Sequence, residues 1–386
     1  MVIDTYRKKS PNVMLVEGGG WVEGESESQK FQSLFVGRMM GDLAYDVVNV
    51  GPSDVLYGVE TLKETAKKGG FDLVSANILQ KSSGKHLFDP YVIKQVGGFK
   101  IAFLGVVAEN SSIATVTPEK DDFALANVQE TLNELIPKVR KKADLVVVFS
   151  HMGSRLSQKL VDEVKGIDVA INGADPMVST KPFEVGNEEI GYSLVCSAGD
   201  RGKWVGALSL IVSDKGKLLR WSNEVHGLDA NVREDSTMRV KVDAFKEELR
   251  EVKKREMVEQ VVGQQTEHPQ EKFLGANTCK RCHEQAFAAW DASAHARSLA
   301  SLEGKAMEGS GQCLQCHVTG HTELGGYALN KADLGNVSCE QCHGHGTMHG
   351  EAGFIARPTA ESCLVCHDKA NSPDFNYAKY WEAIAH

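Results

Sequence analysis

One short pattern occurs four times in the last third of this chain: Cys279-Lys-Arg-Cys282-His283, Cys313-Leu-Gln-Cys316-His317, Cys339-Glu-Gln-Cys342-His343 and Cys363-Leu-Val-Cys366-His367. Each copy is C-x-x-C-H, the attachment signature of c-type haem. Two thiols three positions apart can form thioethers to one porphyrin, and the adjacent imidazole then binds the iron as the proximal ligand. The sequence therefore predicts four covalent haems, whose attachment uses all but one of the 9 cysteines.

Zinc ribbons and redox dithiols also contain C-x-x-C pairs, but neither explains this pattern. A zinc ribbon pairs two such knuckles and has no need for a histidine directly after each one. A redox dithiol normally occurs once, next to a βαβ unit. Four copies that each end in histidine favour haem attachment over both alternatives.

The second axial ligands must come from the remaining histidines of the same segment, residues 269–386. Once the four motif histidines are used, five others remain there: His295, His321, His345, His349 and His386. Five candidates for four positions predict mostly bis-histidine haems, which suit electron transfer. An open sixth position would instead let a small molecule bind to the iron. No second metal site is expected.

The composition limits the partners. The formal charge is −9, and no basic patch is interleaved with aromatic residues, so a nucleic-acid partner is not expected. An acidic surface favours redox partner proteins with a positive docking patch. No apolar run approaches the ~18 residues of a membrane helix, and the first residues lack the apolar core of an export signal. Because c-type haem is attached outside the cytoplasm, we expect a periplasmic or extracellular protein whose export signal lies outside this sequence.

Residues 1–228 alternate short apolar strands with helical stretches, which predicts an α/β domain. The runs Ile101–Val107 and Leu145–Phe149 are apolar on both faces and fit a sheet covered on both sides. Further strands are expected near 13–16, 47–50, 168–171, 192–196 and 207–212. Helices are expected at 28–40, 59–68, 128–142 and 155–165.

Six phrases of this region resemble the metallophosphoesterase domain of the 5′-nucleotidase family: Asn12–Gly20, Val50–Gly58, Val74–Ile78, Val148–Gly153, Asp168–Asp175 and Ser197–Gly206. The resemblance implies a four-layer α/β/β/α sandwich with a two-metal site at the strand ends. It also implies an opening strand with Asp-x-His, which this sequence lacks, and we therefore expect that the natural N-terminus is missing.

Most metal ligands of that family are replaced here. Gly19-Gly20 stands where the family has Gly-Asp, Gly51-Pro-Ser-Asp54 where it has Gly-Asn-His-Glu, and Gly173-Ala-Asp-Pro176 where it has Gly-His-x-His. A two-metal centre needs several carboxylates and imidazoles, and of these ligand types only His151 is retained. We therefore expect His151 to be a hydrogen-bonded residue at a strand end, in a domain without phosphohydrolase activity.

Residues 229–268 connect the two halves. Met238, Val242, Phe245, Leu249 and Val252 form one apolar stripe on a charged helix. A connecting helix packed on a flanking domain is the expected structure. A short dimer seam, and with it a homo-oligomer, is the alternative. Gly263–Gln270 is predicted to be a linker.

The last part of the chain, 271–386, resembles the tetrahaem cytochrome c-554 family. The resemblance is carried by Trp290–His295, Cys313–Gly320, Val337–Gly346 with His349, Cys363–Phe375, Tyr380-Trp381 and His386. It implies that His295, His349 and His386 are distal ligands and that one haem is five-coordinate. The haem of His317 is the candidate for that state, with His321 and His345 as alternatives for its sixth position. A second-shell hydrogen bond is the other role considered for His345.

These observations predict an α/β phosphoesterase-like domain followed by a mainly α, haem-cored tetrahaem domain. The expected function is electron transfer between redox partners outside the cytoplasm. The alternative is an oxidoreductase that acts on a small nitrogen or sulfur species at one open haem.

Overall fold

A computed structural model describes residues 1–113, 122–187, 191–265, 273–303, 311–321, 323, 326–327, 332–350, 355 and 357–386. The chain divides into two compact units, Met1–Arg239 and Val240–His386. The predicted three-part division at residues 228 and 268 stays a prediction.

The first unit is α/β. Its helices are α1 (Val2–Lys9), α2 (Glu27–Asp42), α3 (Val59–Gly69), α4 (Val128–Val139) and α5 (Ser154–Glu163). Its strands are β1 (Val16–Glu17), β2 (Val47–Asn49), β3 (Asp72–Val74), β4 (Ile78–Gln80), β5 (Tyr91–Val96), β6 (Phe99–Val107), β7 (Phe123–Leu125), β8 (Leu145–His151), β9 (Val169–Asn172), β10 (Phe183–Asn187), β11 (Gly191–Ser197), β12 (Trp204–Val212) and β13 (Leu218–Gly227).

The largest sheet has six strands in the order β10-β11-β9-β8-β6-β5. Its four central strands are parallel, and the two outer strands pair antiparallel to them. A second sheet, β1-β2-β3, is parallel throughout. The pairs β12-β13 and β4-β7 form antiparallel ribbons. Parallel central strands explain the two fully apolar runs noted in the sequence, because such strands are buried on both faces.

Three groups of buried side chains give the order of the layers. Helices α4 and α5 cover one face of the six-stranded sheet, where Leu132 and Val148 belong to one cluster. The other face packs against the small sheet, with Phe149 and Val47 in a second cluster. Helices α2 and α3 cover the far side of the small sheet around Met40. This order of helix, sheet, sheet and helix agrees with the sandwich that the family resemblance implies.

Several predicted elements differ in extent. Helix α4 ends at Val139, three residues before the predicted end. The strand expected at 13–16 is only the two-residue β1. Strands β3, β4, β5, β7, β10 and β13 were not predicted.

The second unit opens with α6 (Ser236–Gln265). Along the predicted stripe, Val252 is buried and the other four residues are partly buried, whereas Val240 is 70% exposed. Because α6 continues to Gln265, the linker predicted from Gly263 is wrong for its first three residues, and 266–270 lie outside the described residues. Among the described residues, no helix combines the length and hydrophobicity that crossing a bilayer requires.

The rest of this unit consists of short helices: α7 (Ala276–Lys280), α8 (Glu284–Ala292), α9 (Ala300–Glu303), α10 (Gly311–His317), α11 (Cys339–His343), α12 (Ala360–Leu364) and α13 (Tyr377–Trp381). Three single 3₁₀ turns, His295–Arg297, Ala332–Leu334 and Gly346–Met348, lie between them. The apolar cluster around Leu314 and Val318 is small. Helices this short are held by tertiary packing rather than by their own hydrogen bonds.

Candidate haem centres

Each of the four motifs lies on a helix or at its end. The backbone N–H of His283 donates to the carbonyl of Cys279 over 3.0 Å, and His367 donates to Cys363 over 2.9 Å. In such a helical turn, residues three and four positions apart lie on one face. Both thiols and the imidazole of a motif therefore face the same side, as attachment to one porphyrin requires.

Three motif histidines each face a histidine from outside the motifs. The ring centres of His283 and His349 are 5.9 Å apart, and those of His343 and His386 are also 5.9 Å apart. The third pair, His367 and His295, is separated by 6.2 Å. In all three pairs the ring planes are tilted by 51°.

This separation fits an iron atom between two imidazoles. With a metal–nitrogen bond of about 2.0 Å and about 1.1 Å from nitrogen to ring centre, an iron bound on both sides sets the centres about 6.2 Å apart. The three measured values lie within 0.3 Å of that figure. The donor set and its spacing therefore fit the group that the motifs imply.

Hydrogen bonds fix the tautomer of several of these rings. Nδ1 of His343 lies 2.7 Å from the carbonyl oxygen of Ile355, and Nδ1 of His386 lies 2.9 Å from that of Ile384. A carbonyl oxygen only accepts, so Nδ1 carries the proton and Nε2 keeps its lone pair. Bonds of this kind are the usual support of a metal-binding histidine.

His317 differs from the other three motif histidines. Within the described part of the chain, no histidine ring faces it at a comparable distance. Its Nδ1 lies 2.8 Å from the carbonyl oxygen of Ser298 and 3.1 Å from the hydroxyl of Ser301. Ser298 also donates from its own hydroxyl to the His317 carbonyl over 2.8 Å. The ring is thus held firmly from the Nδ1 side.

The two uncertain candidates, His321 and His345, lie elsewhere. Nε2 of His345 is 3.0 Å from a carboxylate oxygen of Glu323, and its ring packs edge-on against Phe273 at 4.3 Å. Nδ1 of His321 is buried without a hydrogen-bond partner among the described residues, and burial lowers the pKa of this imidazole. Neither ring contacts His317 within those residues.

Cysteines of different motifs are close neighbours. The thiols of Cys279 and Cys339 lie close enough to shift each other's pKa, which places the first motif beside the third. The charges of Cys316 and Cys342 likewise act on the thiol of Cys366, which places the fourth motif beside the second and the third. The contacts give the spatial order first, third, fourth and second.

Among its described residues, the first unit has no comparable set of donors at its strand ends. Where the resemblance implies metal, the carboxylate of Asp54 accepts four backbone hydrogen bonds. Gly20 and Gly51 donate to Oδ2 over 2.7 Å, while Trp21 and Val22 donate to Oδ1 over 2.9 and 3.1 Å. Asp54 is 2% exposed, and this burial raises its pKa. Its oxygens therefore hold the loops together rather than face an ion.

Backbone and ring atoms fill the same region. A Cβ atom on Gly20 would lie 2.8 Å from Cε1 of His151, so the ring occupies the space of the missing aspartate. His151 ends β8, and its Nδ1 lies 3.2 Å from the Gly18 carbonyl, which confirms the predicted hydrogen bond at a strand end. Asp175 caps α5 through Ser154. Within the described ranges, no group of three or more His, Cys, Asp or Glu side chains is arranged to hold a metal ion. These residues do not fit a two-metal centre.

Comparison with known proteins shows what each part of the chain is similar to. The family model described as cytochrome c554 and c-prime matches residues 278–344, which include the first three motifs. The first unit matches the 5′-nucleotidase family in sequence and in fold. Both resemblances seen in the sequence are thereby confirmed.

Particular relatives match about two thirds of the chain. A snake venom 5′-nucleotidase from Crotalus adamanteus is 24% identical over 278 residues, which is 67% of this chain and 47% of that protein. A 5′-nucleotidase precursor from Thermus thermophilus superposes with a TM-score of 0.57 at 23% identity, covering 64% of this chain and 52% of that one. The sulfate thiohydrolase SoxB of the same genus gives 0.55 at 21% identity, covering 64% and 45%. The chain thus spans about half the length of these relatives, and the structural likeness shows the fold alone.

Proposed function

We propose that this chain is a multihaem c-type cytochrome that carries electrons between redox partner proteins outside the cytoplasm. The proposal rests above all on the three pairs of histidine rings that stand 5.9 to 6.2 Å apart, each joining a motif histidine to one from another part of the chain. Iron atoms in covalently bound haems would supply a one-electron couple at each site.

In this proposal the eight motif cysteines anchor four haems. His283, His343 and His367 are proximal ligands, and they are paired with His349, His386 and His295 respectively. A neutral imidazole on both faces keeps the iron six-coordinate and low-spin, which limits reorganisation during electron transfer. The hydrogen bonds at Nδ1 hold the rings in the tautomer and orientation that this ligation needs.

The contacts between cysteines of different motifs suggest the route of electrons through the proposed haems. The thioether-bearing edges of neighbouring haems would adjoin where Cys279 meets Cys339 and where Cys316 meets Cys366. Electrons would then pass along the order first, third, fourth and second motif. The protein contributes ligation, burial and spacing, and it needs no acid or base for this task.

The first unit would serve as a scaffold or docking surface for redox partners. Its fold matches phosphohydrolases, but fold alone does not carry an activity. The glycine at position 20 and the hydrogen-bonded carboxylate of Asp54 argue against phosphoester hydrolysis.

A second candidate function has one observation in its favour. His317 has no facing histidine among the described residues, so its haem would keep an open position. The chain would then be an oxidoreductase that converts a small nitrogen or sulfur species at that haem. Binding of nitric oxide or cyanide to the wild-type protein would support this activity, and a spectrum without any high-spin component would exclude it.

The test of the main proposal begins with haem content, measured as the pyridine haemochrome per chain. The expected value is four, followed by a redox titration in which all four haems exchange electrons. The proposal would be overturned by a lower haem content, or by haems that do not exchange electrons in the titration. Localisation outside the cytoplasm is checked by fractionating cells that express the full natural gene.

A further inference from the structure

Glu340 is a buried carboxylate inside the third motif. It lies in the first turn of α11, between Cys339 and Cys342, and is only 4% exposed. A buried carboxylate costs free energy unless hydrogen bonds compensate for the lost water. Three backbone N–H groups do so here: Leu274 and Gly346 donate to Oε1 over 2.8 and 2.6 Å, and Gly275 donates to Oε2 over 2.8 Å.

These three donors belong to segments that lead to the first haem site. Leu274 and Gly275 directly precede α7, which carries Cys279. Gly346 begins the 3₁₀ turn that ends just before His349. One side chain of the third motif therefore holds segments on both the proximal side and the distal side of the first site, and Leu274, its most distant donor, is 66 positions away in sequence.

We propose that Glu340 is a positioning residue that couples the first and third haem sites. Its hydrogen bond to Gly346 positions His349 opposite His283. Its hydrogen bonds to Leu274 and Gly275 hold Cys279 close to Cys339. Its negative charge, desolvated beside both motifs, also stabilises the oxidised and more positive irons, because electrostatic interactions are strong in a medium of low dielectric constant. This inference rests on the proposed function, since it concerns the ligation of haems at these motifs.

Three variants of the full-length holoprotein separate position from charge. Glu340→Ala removes all three acceptors. Glu340→Gln keeps Oε1 for Leu274 and Gly346, but it removes the charge and the acceptor of the Gly275 N–H. Gly346→Ala keeps the charge but displaces the carboxylate, because the new Cβ would lie 2.7 Å from Oε1. The matched control is Glu361→Ala, an exposed glutamate in the first turn of α12 before the fourth motif.

The readouts are the high-spin share of the ferric haem, measured by electron paramagnetic resonance, and the midpoint potentials. In Glu340→Ala and Gly346→Ala we expect one additional high-spin haem, which added imidazole returns to low spin because the vacant position is that of His349. In Glu340→Gln we expect unchanged ligation and a shift of low-spin potentials to higher values. Glu361→Ala should change neither quantity.

The inference is overturned if Gly346→Ala keeps its low-spin haems and Glu340→Gln keeps its potentials. It also fails if imidazole does not restore the lost low-spin signal, since the defect is then general unfolding. These outcomes differ from failure of the proposed function, which would already appear in the wild-type protein as a low haem content or as redox-inactive haems.

Discussion

Replacement of each proposed distal ligand by alanine should create one new high-spin haem at a defined site. In the wild-type protein we expect about one high-spin haem in four, the one bound by His317. His349→Ala, His386→Ala and His295→Ala should each raise this share to about two in four, because alanine has no donor atom for the vacated position. The double variant His349→Ala/His386→Ala should reach about three in four.

The expected step is a whole haem because each proposed distal ring is paired with a different motif histidine. The centres of these pairs are 5.9, 5.9 and 6.2 Å apart. The potential of the affected haem should rise as well, since loss of a neutral nitrogen donor removes electron density that favours ferric iron. The other haems should keep their potentials to within the small electrostatic coupling between neighbours.

The assay is spin quantitation by electron paramagnetic resonance on samples with equal haem content, so that a lost haem is not mistaken for a changed ligand. His321→Ala and His345→Ala are the matched controls and should leave the high-spin share at its wild-type value. The ligand assignment is wrong if any of the three distal variants keeps that value. If His321→Ala raises the share instead, His321 fills the sixth position at His317.

Three further changes test other parts of the structure. Burial, with a contribution from the neighbouring Asp54, raises the pKa of Glu17 from 4.5 to about 7, so the folded state holds this proton more tightly than the unfolded state. The free energy of unfolding should therefore fall by up to about 3 kcal/mol as pH rises from 4.5 through 7. Urea unfolding of Glu17→Gln at several pH values should lack that part of the pH dependence. An equal pH dependence of the unfolding free energy in both proteins would contradict this prediction. Ser301→Ala removes one of two hydrogen-bond acceptors of Nδ1 in His317. We expect the midpoint potential of the haem at His317 to rise by roughly 40 mV, the equivalent of about 1 kcal/mol. An unchanged potential would mean that the Ser298 carbonyl alone supports the ring. Gly20→Asp should lower the free energy of unfolding by about 1–2 kcal/mol, because φ is +85° at this position. Calorimetry should detect no binding of Mn²⁺ to this variant. A variant that is as stable as the wild type and binds the ion would refute the account of this site.

The central strands of the first unit were predictable because β6 and β8 are continuous apolar runs that only a doubly covered sheet can bury. Strand β5 was missed because it lies at the edge of that sheet and contains Lys94 and Gln95 among its apolar residues. Strand β13 was missed for a similar reason, since most of its first seven residues are exposed. Edge strands and ribbons have one solvated side, so their composition does not differ clearly from that of a loop.

In the segment that carries the four motifs, local patterns were predictable from the sequence, whereas contacts between distant residues were not. The spacing of two cysteines and a histidine is local and could be interpreted directly, whereas the pairing of His283 with His349 joins residues 66 positions apart. Family resemblance indicated which histidines are candidates for distal ligands but not which motif each one faces. Ser301 and Glu340 gave no signal, because a helix of four or five residues is too short to show a period, and only the folded chain shows what each side chain contacts.

The loops at the strand ends of the first unit are held by contacts within the chain. At its strand ends, loops that carry polar groups need some partner to compensate their buried N–H groups. Asp54 supplies that partner with four hydrogen bonds, and glycine backbones pack directly against one another where larger side chains would not fit. The loops are therefore held by groups within the chain, and the sandwich needs no ion to complete it. Since every contact described at this site is structural, a role of this unit in the proposed electron transfer should be sought on its surface.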